Sequence, residues 1–402
     1  MRSAMRRRRF LRTVGGSAAS VAGAALGIGG SPLHAADVRT LEAPATDESA
    51  MGAQAPAPSS LLADIPGPGT AGSITDVPGI RVGHFTHTRR PTGCTVLLFD
   101  DDGAATGVDY DGSAPGTYQV TLLQPVSFIQ EISGIVLSGG SSFGLATVPG
   151  AVKYVEEKGL GLKFGIGLVP ILVGAIIYDL GIGDSTIRPG PEDAYAACQT
   201  AKVENIAQGN VGAGAGATVG KMLSRSGFPG MKGGLGMASV RMGDVVIGAL
   251  MVVNSVGDVV DWRTGQVIAG ARNPDGTTFT NIGRTITRPG PKTQARLLIH
   301  DPPMGATTIG VVATNATFNK TEMTKIAMMA NCGAGRCINP YHTPGDGDTL
   351  FGVSTRKVKT DMTLSLVGAI AAEVVSEAVV QAVKTAESID GWPAWKDYPT
   401  RP

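Results

Sequence analysis

Large rings and charges are both scarce in this chain. Aromatic residues make up 5% of its 402 residues and charged residues 17%. A core with so few rings must be close-packed from Val, Ile, Leu, Ala and Met. Histidine is limited to five residues: His34, His84, His87, His300 and His342. None of these histidines has a Gly-x-Ser-x-Gly stretch beside it in the sequence, which argues against a Ser-His-Asp hydrolase. There are four cysteines. Cys332 and Cys337 have no second Cys/His pair at finger-like spacing, so zinc is disfavoured and a structural pair or buried thiols remain. The net charge is +1, with the cationic excess at the N-terminus. That leaves no basic face for nucleic acid.

Two glycine-rich signatures also fail. In Gly209-Asn-Val-Gly-Ala-Gly-Ala-Gly-Ala-Thr-Val-Gly-Lys221, a phosphate loop would need glycine at Ala215 and Ser or Thr at Met222. Gly212-Ala-Gly214 begins a dinucleotide-like pattern, but no buried strand precedes it.

Glycine itself is abundant, at 57 residues. Much of the backbone must therefore run close to other backbone, or to a ligand. Residues 1–36 read as an export signal: Arg6-Arg-Arg-Arg-Phe-Leu-Arg12 resembles a twin-arginine motif, and 14–30 is small and mildly apolar, too short and weak for a membrane span. A periplasmic or secreted location follows. Residues 37–72, rich in Ala, Pro, Ser and Gly, read as a disordered linker. A single domain is expected over 73–402.

Strands are expected at 80–84, 94–99, 106–110, 134–137, 307–314 and 349–354, and in the apolar run 169–178. Residues 134–159 read as strand, Gly-Ser loop and helix, a layout that points backbone N–H groups at an anion or carbonyl. Helices are expected over 143–159, 192–204, 320–332 and 362–388, the last buried on much of its circumference. A hairpin turning at 242–244 leads into the strand 245–253, and 270–303 reads as a polar, loop-rich insertion. The tail with Trp392 and Trp395 is expected to dock on the body.

The chain is organised around Gly248-Ala-Leu-Met-Val-Val-Asn-Ser-Val-Gly-Asp-Val-Val-Asp261. A buried strand ends here in a polar pair, Asn254-Ser255. Taken alone, that pair reads as a turn after a strand. Chemically it has a second reading. The Ser255 hydroxyl can attack its own preceding carbonyl to form an ester that water hydrolyses. The new chain then begins with Ser255, whose α-amine has an unperturbed pKa of roughly 7.7–8.0 and can act as base to its own hydroxyl.

The segment Val252-Val-Asn-Ser-Val-Gly-Asp258 resembles the self-cleavage site of the L-aminopeptidase/D-esterase and β-peptidyl aminopeptidase family. So, in order, do Ile74-Thr-Asp-Val-Pro-Gly-Ile-Arg-Val-Gly-His84, Leu137-Ser-Gly-Gly-Ser-Ser-Phe-Gly-Leu145, Gly209-Asn-Val-Gly-Ala-Gly214, Thr307-Thr-Ile-Gly-Val-Val-Ala-Thr-Asn315 and His342-Thr-Pro-Gly-Asp-Gly-Asp348. The resemblance implies an α+β fold, a four-layer αββα sandwich of the ornithine-acetyltransferase type, with an N-terminal serine generated by autoproteolysis between 254 and 255. It implies Ser255 as nucleophile, Asn210 as oxyanion donor, on the order of 3–4 kcal/mol for one such donor, and Thr307 as a hydroxyl beside the nucleophile. Phe143, Tyr178, Ser141 and Asp346 are the substrate-binding candidates.

One departure is visible. The β-peptide-cleaving members carry a carboxylate two residues past that hydroxyl, where this chain has Ile309; Asp346 and Asp348 are candidates for the missing charge. The resemblance further implies small peptides or aminoacyl amides as substrates, a homotetramer of cleaved protomers, no metal and no organic cofactor. Two rival functions remain open: an acyltransferase of the ornithine acetyltransferase type, whose nucleophile is Thr, and an uncleaved periplasmic binding protein.

Overall fold

The computed structural model describes residues 72–100, 103–165, 167–297 and 305–399. The expected export signal, and all but the last residue of the expected linker, lie outside the described residues.

Two sheets form the middle of the molecule. The N-terminal sheet runs from edge to edge through Ile80–Thr86, Gly93–Phe99, Gly134–Ser138, Leu172–Ile176 and Thr117–Tyr118. Gly134–Ser138 and Leu172–Ile176 lie parallel. The C-terminal sheet runs through Gly234–Met242, Val245–Asn254, Thr307–Ala316, Thr349–Val358, Ala104–Asp109 and Glu131–Ile132. Its second pair is antiparallel, with Asn254 opposite Thr307. Met242 pairs with Val245, so Gly243 and Asp244 make the hairpin turn, and Gly243 has a φ of 60°.

Side-chain alternation along the strands sorts the chain into layers. In Val245–Asn254 the odd positions Ile247, Ala249, Met251 and Val253 pack with Met323, Ile326, Val367 and Val375. Those partners come from the long helices Lys320–Cys337 and Leu364–Lys384. The even positions Val246, Leu250 and Val252 pack instead with Leu97, Ile135, Leu137 and Val173 of the N-terminal sheet. The far side of that sheet meets helices Val148–Glu157 and Pro191–Gln199 through Val96, Leu98, Val136, Ala151, Ala194 and Ala197. The order is therefore helix, sheet, sheet, helix, the expected αββα sandwich. Small residues permit the close stacking: a Cβ on Gly236 would lie 2.2 Å from the backbone nitrogen of Ala382.

Several expected boundaries shift, each for a local reason. The segment expected as one helix over 143–159 is a 3-10 helix, Ser141–Thr147, followed by an α-helix, Val148–Glu157. Its entry is bent by Gly140 and Ser141, both at positive φ, and Pro149 lacks the N–H that would continue a helix into it. The helix expected to reach 204 stops at Gln199. Beyond it, Lys202 exchanges backbone hydrogen bonds with Val82, at 2.9 and 3.0 Å, on the edge strand. The described part of the insertion contains two short helices, Ile282–Thr287 and Pro291–Leu297. It is anchored by the buried Asp258 carboxylate, which accepts from the backbone N–H groups of Ala271 and Ile282 at 2.8 and 2.7 Å. All four cysteines are free, so Cys332 and Cys337 are not a disulfide pair. The tail does dock: Tyr398 donates to the Thr278 carbonyl, and Lys232 N–H bonds the Pro393 carbonyl.

Candidate active site

Strand ends from both sheets converge on Asn254-Ser255. Asn254 lies on the inter-sheet face of its strand, as its even number in the alternation requires, and is fully buried; Ser255 is 2% exposed. Every polar atom of the Asn254 side chain is held. Its Oδ1 accepts from Thr218 N–H at 3.0 Å and from Lys221 Nζ at 2.8 Å. Its Nδ2 donates to the Tyr178 carbonyl at 3.0 Å. Its own backbone carbonyl, the one Ser255 would attack, accepts from Lys221 Nζ at 3.1 Å. Ser255 Oγ donates to the Gly257 carbonyl at 2.8 Å.

Thr307 stands opposite Asn254 in the ladder and is buried. Its hydroxyl donates to the Ala306 carbonyl and accepts from Gly347 N–H at 3.3 Å. Ile309, two residues on, is fully buried between the sheets. The position that carries a carboxylate in β-peptide cleavers is thus apolar in structure as well as in sequence.

The acidic charge comes from the loop 342–348. Asp348 accepts from Thr308 N–H at 2.6 Å and from His342 Nδ1 at 3.1 Å. Burial pulls His342 down, but the bond to Asp348 and the surrounding acidic charges outweigh it and leave the imidazole above its usual value. Asp346 accepts from the Thr343 hydroxyl and N–H through Oδ2, while its buried Oδ1 has no partner. Burial pushes the Asp346 carboxyl up to about 6, with Asp348 adding to the effect and Thr343 and Lys221 opposing it.

A second carboxylate organises the opposite wall. Asp179 is buried and pairs with the buried Arg90 at 2.9 Å. It also accepts from Gly140 N–H at 2.9 Å and the Thr92 hydroxyl at 2.6 Å. It thereby ties the Gly139-Gly140 loop to the strand end that carries Tyr178. The Tyr178 side chain lies against Gly305, close enough that a Cβ there would sit 2.7 Å from the ring.

Of the candidate residues, Asn254, Ser255, Thr307, Tyr178 and Asp346 are brought together. Ser141 sits at the entry of the neighbouring loop, its N–H on the Ile177 carbonyl at 2.9 Å. Phe143 is 54% exposed, with the Arg188 guanidinium 3.5 Å over its ring, so it is not core packing. Asn210 is not brought to the site by any polar contact. Its Nδ2 donates to the Glu387 carbonyl at 2.8 Å and its Oδ1 accepts from Glu387 N–H at 3.1 Å. In the uncut chain the amide clamps the segment leaving the last long helix. A cavity of about 450 Å³ lined by Arg81, Asp100, Tyr154 and Lys158 lies on the helical side of the N-terminal sheet, away from Ser255. Among the described residues no His/Cys/Asp/Glu group is placed to hold a metal ion.

Comparison with known proteins agrees with this fold. The profile of peptidase family S58 matches residues 72–394. The chain belongs to peptidase family S58. It is 36% identical over 361 residues to an uncharacterized aminopeptidase of Mycobacterium leprae, covering 80% of this chain and 93% of that one. It is 32% identical over 321 residues to the 6-aminohexanoate-oligomer endohydrolase of a Kocuria species, covering 77% and 85%. Among solved structures it resembles the L-aminopeptidase D-Ala-esterase/amidase of Ochrobactrum anthropi, described as a variant of the Ntn hydrolase fold. That match has a TM-score of 0.56 at 21% identity and covers 82% and 91% of the two chains. A Burkholderia β-aminopeptidase matches with the same TM-score at 20% identity, covering 82% and 90%. The S58 chain is thus a hydrolase of the aminopeptidase type on an Ntn-like sandwich.

Sequence reasoning missed Lys221 in this S58 site. Burial pulls its ammonium down to about 7, against the opposing pull of Asp346, Asp179 and Asp348. The available signal is a lone cation closing a long glycine-rich run that does not fit the phosphate-loop pattern.

Proposed function

We propose that the chain is an exported, self-processing serine aminopeptidase or amidase, and that it matures by cutting between Asn254 and Ser255. The observation that carries this reading is the placement of that bond. It follows the last residue of the central strand, Asn254 is fixed through main chain and side chain by separate elements, and Ser255 comes next in the chain.

Cleavage frees the Ser255 α-amine, which lies beside its own hydroxyl and takes the hydroxyl proton as Oγ attacks a substrate carbonyl. The C–N bond of the substrate breaks, the protonated amine gives its proton to the leaving nitrogen, and an ester on Ser255 remains. Water then splits the ester by the same route in reverse. Because Ser255 is buried in the uncut chain, processing also serves to open the site. Thr307 lies within reach of the nucleophile's strand end. Asp346 and Asp348 supply negative charge for a substrate amine, while Tyr178 and Phe143 line the approach. The natural substrates are small peptides or amino-acid amides with a free amine. The names of relatives that act on 6-aminohexanoate oligomers extend the test set to amides whose amine lies farther from the carbonyl. The mature form is proposed to be a homotetramer of cleaved protomers, periplasmic or secreted.

Intact mass of the purified protein beside Ser255→Ala tests the reading. Two fragments, the smaller beginning at Ser255, with a single chain in the variant, are expected. One uncut chain in both samples would sink it. Hydrolysis of α-aminoacyl, β-aminoacyl and 6-aminohexanoyl amides then ranks the substrates, and cell fractionation checks export.

A further inference from the structure

The segment 218–222 lies along the proposed cleavage site like a splint. On the upstream side Thr218 N–H and Lys221 Nζ hold Asn254. On the downstream side Gly220 N–H donates to the Gly257 carbonyl at 2.9 Å and Met222 N–H to the Val256 carbonyl at 3.0 Å. Gly220, at a φ of 71°, makes the bend that lets one short segment reach both sides. A Cβ there would also lie 2.2 Å from the backbone of Gly270. None of these bonds uses the nitrogen of the 254–255 peptide bond.

We propose that Lys221 is the oxyanion donor of self-cleavage, and that it then becomes the ion partner of the carboxylate which cleavage creates at Asn254. The inference rests on the self-cleavage reading above. As Ser255 Oγ bonds to the Asn254 carbonyl carbon, the C=O electron pair moves onto the oxygen that Lys221 Nζ already touches. The hydroxyl proton passes to the Ser255 nitrogen, the C–N bond breaks, and an ester and an amine result. Water then adds to the ester and the C–Oγ bond breaks. One water proton returns to Oγ, the other goes to the amine, and Asn254 ends as a carboxylate facing Lys221. A preorganised donor aimed at the oxygen where charge develops contributes roughly a hundred- to a thousandfold in rate. The charged groups around the ammonium are Asp346, Asp179 and Asp348, with Lys232 as the opposing cation. Asp346, whose buried Oδ1 has no partner, is the foremost of the acidic groups acting on the ammonium.

The test follows the cut fraction after cell-free synthesis of the full chain, by intact mass, from pH 6 to pH 10. Four chains are compared: wild type, Lys221→Met, Lys221→Arg and Ser255→Ala. Wild type is expected to cut, Lys221→Met to cut on the order of a hundredfold more slowly or worse, and Lys221→Arg to cut with its alkaline limb moved to higher pH. Thermal melting of Ser255→Ala with and without Lys221→Met separates lost folding from lost chemistry. Should Lys221→Met fail to fold, the Lys221→Arg limb decides. A wild type that cuts while Lys221→Met folds and cuts at the same rate, or an alkaline limb that Arg does not move, overturns the role of Lys221 alone. An uncut wild type overturns the self-cleavage reading and this inference with it.

Discussion

Two lysines in the same stretch, Lys221 and Lys232, meet the same physics and end in different situations. Burial pulls both ammonium groups down to about 7. Lys232 is fully buried and gives its three donors to three fixed carbonyls, Gly214 at 3.1 Å and Ala217 and Gly233 at 2.9 Å. Those carbonyls belong to loops and strand ends that do not change, so the cation is a rivet. Lys221 directs its donors at one residue, Asn254, and at the carbonyl that would gain charge in a cleavage step. The shift in pKa does not separate a structural cation from a reactive one. What lies at the other end of the hydrogen bond does.

The largest effect expected is from Ser255→Ala, which should abolish cleavage while both lysine environments persist; intact mass reads it, and any cut between 254 and 255 in that variant breaks the scheme. Next comes Lys232→Met. It strips a donor from three buried carbonyls and should destabilise the fold by about 2–3 kcal/mol, seen as a lower denaturant midpoint. The folded fraction should still cut, whereas loss of cutting in well-folded Lys232→Met would erase the contrast with Lys221.

A pH series sharpens the same point. Between about 7 and the unperturbed lysine value of about 10.4, the unfolded chain binds more protons at these two sites than the folded one. Stability of Ser255→Ala should therefore rise with pH through that window and fall again as pH drops through about 7. Lys232→Met should flatten part of the rise. Asp258, pushed up to about 7 by burial against the bonds from Ile282 and Ala271, acts with the opposite sign but below that window. The smallest effect is from Asn210→Ala, which removes the two bonds to Glu387. About 1–2 kcal/mol of stability should be lost with the cleavage rate nearly unchanged; a collapse of that rate in a folded variant would give the oxyanion role in self-cleavage to Asn210.

Much of this was legible in the residues. The apolar run 245–253 reads as a strand because both of its faces are buried, and the polar pair that follows marks its end. The period-2 and period-3.6 patterns located the elements of the two sheets and the long helices. The residues least well placed were those whose role depends on direction. Phe143 reads as a substrate-binding candidate, and its ring stacks under Arg188 at the surface. Asn210 has the right chemistry for an oxyanion donor, and its loop turns the amide towards Glu387. Thr307 was placed correctly in its strand, but only the register shows it opposite Asn254.

Local sequence alone determined the elements and the presence of an Asn-Ser bond at the end of a buried strand, because propensity and alternation act over a few neighbouring residues. It also determined how little charge and aromatic bulk the core could use. Tertiary structure decided which distant groups meet at that bond: Lys221, Tyr178 and the 342–348 loop reach it from separate elements. Those encounters depend on strand register, on a bend at Gly220, and on sheets stacked closely enough to bury a cation against a carbonyl. None of these is a property of any short stretch of the chain.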